Sequence, residues 1–206
     1  MGEQIASLAT HFKVAEPYAS YWPTYVESLN YPASTDVLGS VHAGAISLVQ
    51  ELNWAAECAV APNIILAGHS QGAMVIEQAL GNNPYVGTLT LKARTAIKAA
   101  VMYGNPGYRS DHPYIANSPA PGGQGLYPDD PGMVQYIADN YQYYGWDAGD
   151  TNPSPSWHYK VREYCIGGDA VCQNNLTDSG WQIHNSYPIY NDRVIQWFDS
   201  RLASTD

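Results

Sequence analysis

The chain has 206 residues, 45% of them hydrophobic, and a formal net charge of −10. Its length suits one domain spanning residues 1–206 with a sizeable core, and its acidity argues against nucleic acid or an anionic membrane surface as a partner. No apolar run approaches the roughly 20 residues that span a bilayer, and the amino-terminal stretch lacks the basic and apolar regions of a signal peptide. We therefore expect a single acidic domain that acts as a monomer.

The predicted elements alternate between helices and strands along the chain. Helices are expected at residues 2–12, 40–58, 73–80, 133–143 and 194–202, and strands at 24–29, 64–67, 96–103 and 159–164. This alternation predicts an α/β fold of three layers with a mainly parallel central sheet. Ligands of such sheets bind beyond the carboxyl ends of the strands. Residues 106–131 are rich in Gly and Pro and form a loop too long for a plain connection.

The pentapeptide GHSQG at residues 68–72 lies between a buried strand and a helix. It fits the G-x-S-x-G pattern, in which a serine nucleophile stands on a cramped strand-to-helix turn flanked by small residues. The pattern predicts Ser70 as a nucleophile and the backbone N–H of Gln71 as an oxyanion donor. The side chain of His69 is expected to point into the packing beneath the turn. The alternative is a purely structural turn.

Two cysteines, Cys165 and Cys172, flank Asp169 in a short Gly-containing loop. A disulfide between them would fix the backbone and aim the carboxylate, which predicts Asp169 as the acid of a catalytic triad. The alternatives are an ordinary Asp in a turn and a metal site. A metal is disfavoured because zinc takes four close ligands and C-x6-C is not a usual ligand spacing. Cys58 would then have no partner, or be a buried free thiol.

The base of such a triad follows the acid in α/β-hydrolases, in the order Ser, Asp, His. His184 is the one histidine after Asp169 in the sequence, so we predict His184 as the general base, expected in a loop before the final helix. The alternative is a surface histidine, and His158 is the next candidate although it precedes the acid. Acyl transfer of this kind requires no cofactor and no metal.

These motifs, GHSQGA followed by C-x3-D-x2-C and a histidine, resemble those of the cutinase-like serine esterases. The resemblance implies an α/β-hydrolase fold with a triad of Ser70, Asp169 and His184. The stretches NYPA at 30–33 and YGNP at 103–106 are more specifically similar to the phage lysin B branch. That branch implies hydrolysis of lipid-to-polysaccharide esters, namely mycolyl-arabinogalactan, outside the cell or in the host cell envelope during phage-driven lysis.

The amino end departs from the family pattern. Members begin with a strand whose end supplies a Gly-Thr or Gly-Ser loop, and a backbone N–H of that loop forms half of the oxyanion hole. This chain starts in what resembles the following helix, so we expect the fold to lack its first strand, either by truncation or because this branch builds the hole differently. Cys58 stands where cutinases place a cysteine that pairs near the amino terminus. Loss of one oxyanion donor costs ~10²–10³ in rate.

Aromatic residues offer candidates for substrate contact. Tyr108, Tyr114, Tyr127 and Trp146 can line an acyl or sugar cleft, and the alternative is that they are ordinary surface and packing aromatics. Two other functions fit the motifs. One is a cutinase or acetylxylan esterase acting on plant polymers, and the other is an inactive structural or binding relic of the fold.

Overall fold

The computed structural model describes residues 2–15, 24–58, 60, 62–117, 120–143 and 158–203. Within them the elements are, in chain order, α1 (Glu3–Ala15), α2 (Val37–Ala55), β1 (Ile64–His69), α3 (Gln71–Leu80), α4 (Leu91–Ala96), β2 (Ile97–Tyr103), α5 (Pro131–Asn140), β3 (Val161–Tyr164), α6 (Asp178–His184), a 3-10 helix (Tyr187–Tyr190) and α7 (Asn191–Ala203).

The three strands form a parallel sheet in the order β1-β2-β3. In the register of the sheet, His69 lies opposite Tyr103, and Tyr103 lies opposite Tyr164. The carboxyl ends of the strands are therefore level and meet at one edge. This arrangement confirms the predicted α/β architecture and places the residues that follow each strand close together.

Helices cover both faces of the central strand β2, whose side chains alternate between two cores. Ala100 and Met102 pack with residues of α2 and α3 on one face, whereas Val101 and Tyr103 pack with residues of α1 and α7 on the other. All four side chains are completely buried. Burial on both faces explains why β2 reads as an almost continuous apolar run.

The strand predicted at residues 24–29 is wrong. The segment has no regular secondary structure, and Tyr25 is 80% exposed. A strand is stable only when a neighbour accepts and donates its backbone hydrogen bonds, and no strand in the described part of the chain pairs with this segment. A local sequence pattern alone cannot supply that neighbour.

Helix boundaries differ from the predictions where a capping side chain intervenes. Asp36 accepts a hydrogen bond from the backbone N–H of Gly39, so α2 begins at Val37 rather than near residue 40. Asp130 accepts from the N–H groups that follow Pro131, which starts α5 two residues early. The helices α4 and α6 were not predicted, because six and seven residues are too few for a clear helical period.

None of the described helices combines the length and the apolar character that crossing a membrane demands.

Candidate active site

Ser70 occupies a sharp turn between β1 and α3. Its φ of 55° and ψ of −124° lie in a region that residues with side chains rarely adopt, at a cost on the order of 1–3 kcal/mol. Its backbone N–H donates to the carbonyl oxygen of Tyr103 at 2.8 Å, which continues the pairing of β1 with β2 by one residue. The sheet thus holds the strained serine at the carboxyl edge of the strands.

The two glycines of the GHSQG motif have unequal roles. A Cβ atom at Gly68 would lie 2.4 Å from the carbonyl oxygen of Gly72, so this position accepts no side chain. A Cβ at Gly72 would meet only the hydroxyl of Tyr31, at 3.8 Å. The prediction that both positions must be small is therefore confirmed for Gly68, because the backbone of Gly72 passes directly beside it. The prediction is wrong for Gly72.

Gln71 is the first residue of α3, so its backbone N–H has no intrahelical acceptor. Its side chain fixes the neighbouring loop, because Nε2 donates to the carbonyl oxygen of Ser34 at 2.9 Å. Ser40 donates from its hydroxyl to Oε1 of Gln71 at 3.0 Å and accepts from the N–H of Ser34 at 3.1 Å. These three hydrogen bonds hold Ser34 beside the start of α3.

His184 is the last residue of α6 and is 3% exposed, so the expected loop position is wrong: the histidine ends a short helix. Its imidazole lies against Gly104, where a Cβ would come within 2.9 Å of both Cε1 and Nδ1. Gly104 directly follows Tyr103, the residue that accepts the hydrogen bond from Ser70. Consecutive residues at the end of β2 therefore contact both the predicted nucleophile and the predicted base.

Asp169 is fully buried, and both of its carboxylate oxygens accept from Nδ1 of His184, Oδ2 at 2.9 Å and Oδ1 at 3.1 Å. The N–H groups of Val171 and Cys172 donate to Oδ1 at 2.6 and 2.8 Å. Burial raises the pKa of Asp169, but the hydrogen bond and charge of His184 and these two N–H donors outweigh it and lower the pKa below its ordinary value. The carboxylate is thus held ionised, and it fixes the proton of His184 on Nδ1.

A disulfide joins Cys165 and Cys172, as predicted. Since the N–H of Cys172 donates directly to Asp169, the bridge ties that donor to the end of β3. Cys58 is a free and exposed cysteine. The alternative that Cys58 is a buried thiol is therefore wrong.

His69 lies beside His184 rather than entirely in the packing under the turn. The two rings are 4.5 Å apart between centroids, and Nε2 of His69 lies 2.8 Å from the carbonyl oxygen of His184. Because a carbonyl can only accept, His69 carries its proton on Nε2. Burial and the charge of His184 lower the pKa of His69 to about 4. A neutral His69 thus supports the backbone of the predicted base.

Two residues near the site escaped the sequence analysis. The buried Tyr187 donates from its hydroxyl to Oδ2 of Asp169 at 2.8 Å and accepts from the N–H of Ile166 at 3.2 Å. Trp181, 46% exposed, stands edge-on to His184 with ring centroids 5.6 Å apart. The only sequence signal for either residue was proximity to His184, and an aromatic three positions away does not reveal which contact it makes.

The aromatics proposed for the substrate cleft fall into different environments. Tyr108 and Tyr114 are fully buried, and their hydroxyls donate to the carbonyl oxygen of Pro121 and to Glu77. Both are therefore packing residues and do not line an open cleft, since each buried hydroxyl has a hydrogen-bond partner within the protein. Tyr127 is 39% exposed and lines a surface groove beside α3. Trp146 lies outside the described residues.

The neutral state of His69 predicts a specific loss of stability in acid. Its folded pKa of about 4 lies below the unfolded value of 6.5, so its contribution is complete above pH 6.5 and is lost as the pH falls from 6.5 towards 4. That loss amounts to about 3 kcal/mol at most. His69→Gln keeps an N–H donor for the carbonyl but cannot titrate. We expect urea unfolding to show a smaller loss of unfolding free energy between about pH 7 and about pH 4.5 for this variant than for the wild type.

The matched control is His11→Gln, which removes an exposed histidine of α1 and should keep the pH dependence of the wild type. Equal pH dependence of His69→Gln and the wild type would show that His69 is not held neutral.

Comparison with known proteins supports one family. The sequence profile described as Cutinase matches residues 10–202. Cutinase 11 of Verticillium dahliae is 29% identical over 150 residues, which cover 68% of this chain and 42% of the relative. Acetylxylan esterase 2 of Talaromyces purpureogenus is 25% identical over 201 residues, covering 90% of this chain and 76% of the relative. The match therefore spans less than half the length of Cutinase 11.

A similar fold is found among solved structures. An acetyl xylan esterase, solved as an iodinated complex, superposes with a TM-score of 0.70 at 22% identity, over 98% of this chain and 91% of the other. At this identity the likeness concerns the fold alone. Because the family profile covers nearly the whole chain, the protein belongs to the cutinase family of ester hydrolases.

Proposed function

We propose that residues 1–206 form a single-domain serine esterase that hydrolyses carboxylic esters. Ser70 is the nucleophile, His184 the general base and Asp169 the residue that orients it. The observation that carries the proposal is the pair of hydrogen bonds between His184 and Asp169. They stand at the sheet edge where Ser70 is held in a strained turn.

The mechanism follows from the proton positions. With Nδ1–H donated to Asp169, Nε2 of His184 is free to take the proton of the Ser70 hydroxyl as its oxygen attacks the ester carbonyl. The N–H of Gln71 donates to the oxyanion that forms. His184 then protonates the leaving alcohol, and the acyl-enzyme is hydrolysed by a water that the same imidazole deprotonates. Asp169 stays ionised throughout and stabilises the imidazolium.

For the substrate, we favour an ester between a long acyl chain and a polysaccharide, of the mycolyl-arabinogalactan type cleaved in phage-driven host lysis. The resemblance of residues 30–33 and 103–106 to the lysin B branch supports this choice. A groove of about 870 Å³ also runs beside α3, with Met74 one turn after Ser70 among its lining residues. Its lining is largely apolar and includes flexible methionines, which adapt to an acyl chain.

A second candidate is an esterase acting on acetylated or polyester plant polymers. It is supported by the relatives named acetylxylan esterase 2 and Cutinase 11. In either case the disulfide between Cys165 and Cys172 suits an oxidising place of action, outside the cell or in a cell envelope.

Labelling tests the nucleophile. Wild-type protein should react with a fluorophosphonate probe, with the label on Ser70, because the imidazole of His184 activates that hydroxyl. Ser70→Ala should abolish labelling and reduce ester hydrolysis by at least about a thousandfold without loss of the fold. Ser110→Ala, in the exposed part of the long loop, should label as the wild type does. Absence of labelling in folded wild-type protein would indicate an inactive relic.

The disulfide should position Asp169. Replacing Cys165 and Cys172 together by Ser removes the bridge, and we expect kcat to fall about 10-fold to 100-fold, since small misplacements of a catalytic group have such effects. KM should change little, because both cysteines are fully buried. Cys58→Ser is the control and should leave both parameters unchanged. An unchanged kcat in the double variant would mean that Tyr187 and the backbone donors hold Asp169 without the bridge.

Acyl-length profiling separates the two substrates. On p-nitrophenyl esters from acetate to palmitate, a mycolyl esterase should show kcat/KM rising with chain length, because each buried methylene adds about 0.8 kcal/mol. It should also release mycolic acids from isolated mycobacterial cell wall. A preference for acetate together with deacetylation of xylan would instead identify an acetylxylan esterase.

A further inference from the structure

A second group of buried polar side chains lies beneath the loop that follows β2. We call it the acidic cluster, and its members are Glu77, Asn105, His112, Tyr114, Asp129 and Glu163. All six are at most 5% exposed. They come from α3, from β3 and from the loop between β2 and α5, so tertiary structure alone assembles the cluster.

Hydrogen bonds fix most of the cluster rigidly. The hydroxyl of Tyr114 donates to Oε1 of Glu77 at 2.8 Å, and Nδ2 of Asn105 donates to Oε1 of Glu163 at 2.8 Å and also to Glu77. Nδ1 of His112 lies 2.7 Å from Oε2 of Glu163. Glu163 thereby sets the orientation of the imidazole ring.

Two buried atoms of the cluster remain without a hydrogen-bond partner. They are Oδ2 of Asp129 and Nε2 of His112, in side chains that are 5% and 4% exposed. The Asp129 carboxylate is directed into the cluster, where Glu77 contacts it, and it fills the space that a side chain at Gly107 would need. Buried polar atoms normally find partners, so each of these atoms points to a missing one.

The charge of the cluster is also incomplete. Three carboxyl groups face a single imidazole, and the nearby guanidinium of Arg109 is engaged with Asp111 at the surface. A buried carboxylate is normally balanced by a positive charge or by hydrogen bonds, and Oδ2 of Asp129 has neither. A divalent cation would supply both the charge and the missing partner.

We propose that Glu77, His112 and Asp129 bind a divalent transition-metal cation, Zn²⁺ or Mn²⁺. Among the described residues, one potential ligand atom from each of these three lies within 4.8 Å of the other two. Metal–ligand distances of about 2.0–2.2 Å bring such atoms together after small rotations of the side chains. Two carboxylates with an imidazole suit these ions, since imidazole is a poor ligand for Ca²⁺.

Because Glu163 engages Nδ1 of His112, the proposed ligand atom of this histidine is the unpartnered Nε2, and Glu163 would be its outer partner. A carboxylate that accepts the second ring N–H of a ligating histidine is a common outer partner of metal sites, because it fixes the ring and makes it more basic. Access is also present, since Asp129 lies on the wall of the groove of about 870 Å³ that borders α3. The hydrogen bond from His112 to Glu163 and this opening are the two features that a metal site needs beyond its ligands.

The cation is structural and takes no part in ester hydrolysis. It ties α3 to the loop that carries His112 and Asp129. Through Glu77 it also contacts Asn105, the residue after Gly104, against which His184 packs. Its loss would therefore loosen the floor of the active site without removing any catalytic group.

The experiment uses the full chain, dialysed against a chelator and titrated with ZnCl₂ and with MnCl₂ by isothermal calorimetry. We expect one ion per chain and a melting temperature that rises with the ion concentration. Glu77→Gln and Asp129→Asn preserve shape but remove a ligand charge, and each should weaken binding by at least about tenfold. Circular dichroism and fluorophosphonate labelling check that the variants fold.

Asp130→Asn is the matched control. It is the same substitution at the next residue, it borders the same groove, and Asn caps α5 as well as Asp does, so metal affinity should not change. Saturable binding lost in both cluster variants and kept in this control would support the proposal. Absence of saturable binding of either ion to the wild type would overturn it. Equal affinity of Asp129→Asn and the wild type would overturn it as well.

Discussion

The junction of Tyr103 and Gly104, where β2 ends, is the constraint on which the candidate site depends. The carbonyl of Tyr103 receives the N–H of Ser70, and the missing side chain of Gly104 leaves the space that the imidazole of His184 fills. The N–H of Gly104 in turn donates to the carbonyl of Tyr164 at 3.0 Å. One peptide junction therefore joins three strand ends and positions two of the three proposed catalytic residues.

Two buried carboxyl groups of the protein differ in how their negative charge is balanced. Asp169 receives hydrogen bonds from an imidazole, a tyrosine hydroxyl and two backbone N–H groups, so it stays ionised in a buried position. Asp129 has an oxygen without any partner and a carboxyl neighbour that repels its charge. The first arrangement orients the proposed general base, whereas the second lacks a positive charge. The proposed cation follows from this contrast.

The helix α3 connects these two regions. Its first residue, Gln71, supplies the proposed oxyanion donor, and Glu77, six residues on, belongs to the acidic cluster. At about 1.5 Å per residue the two positions are roughly 9 Å apart along the helix axis. Anything that anchors Glu77 therefore also restrains the helix whose first residue carries the proposed oxyanion donor. The cation proposed for the cluster would strengthen that restraint.

Local sequence patterns determined much of the fold and the main elements of the site. The apolar runs at 64–67 and 96–103 were enough to identify two buried strands, and the GHSQG motif located the turn at Ser70. The spacing of Cys165 and Cys172 around Asp169 was enough to predict their disulfide. Each of these signals lies within about ten neighbouring residues, where strand period, turn sterics and loop closure act directly.

Tertiary structure decided what depends on distant partners. Residues 24–29 carry a strand-like pattern but have no neighbouring strand in the described part of the chain, so they stay irregular. Tyr108 and Tyr114 were candidates for a substrate cleft, but in the folded chain both are fully buried and their hydroxyls donate to Pro121 and Glu77. The acidic cluster brings together Glu77 and Glu163, which are 86 positions apart in the sequence, so no local pattern predicts it. Burial and hydrogen-bond partners are properties of the folded chain, so they can be determined only from the tertiary structure.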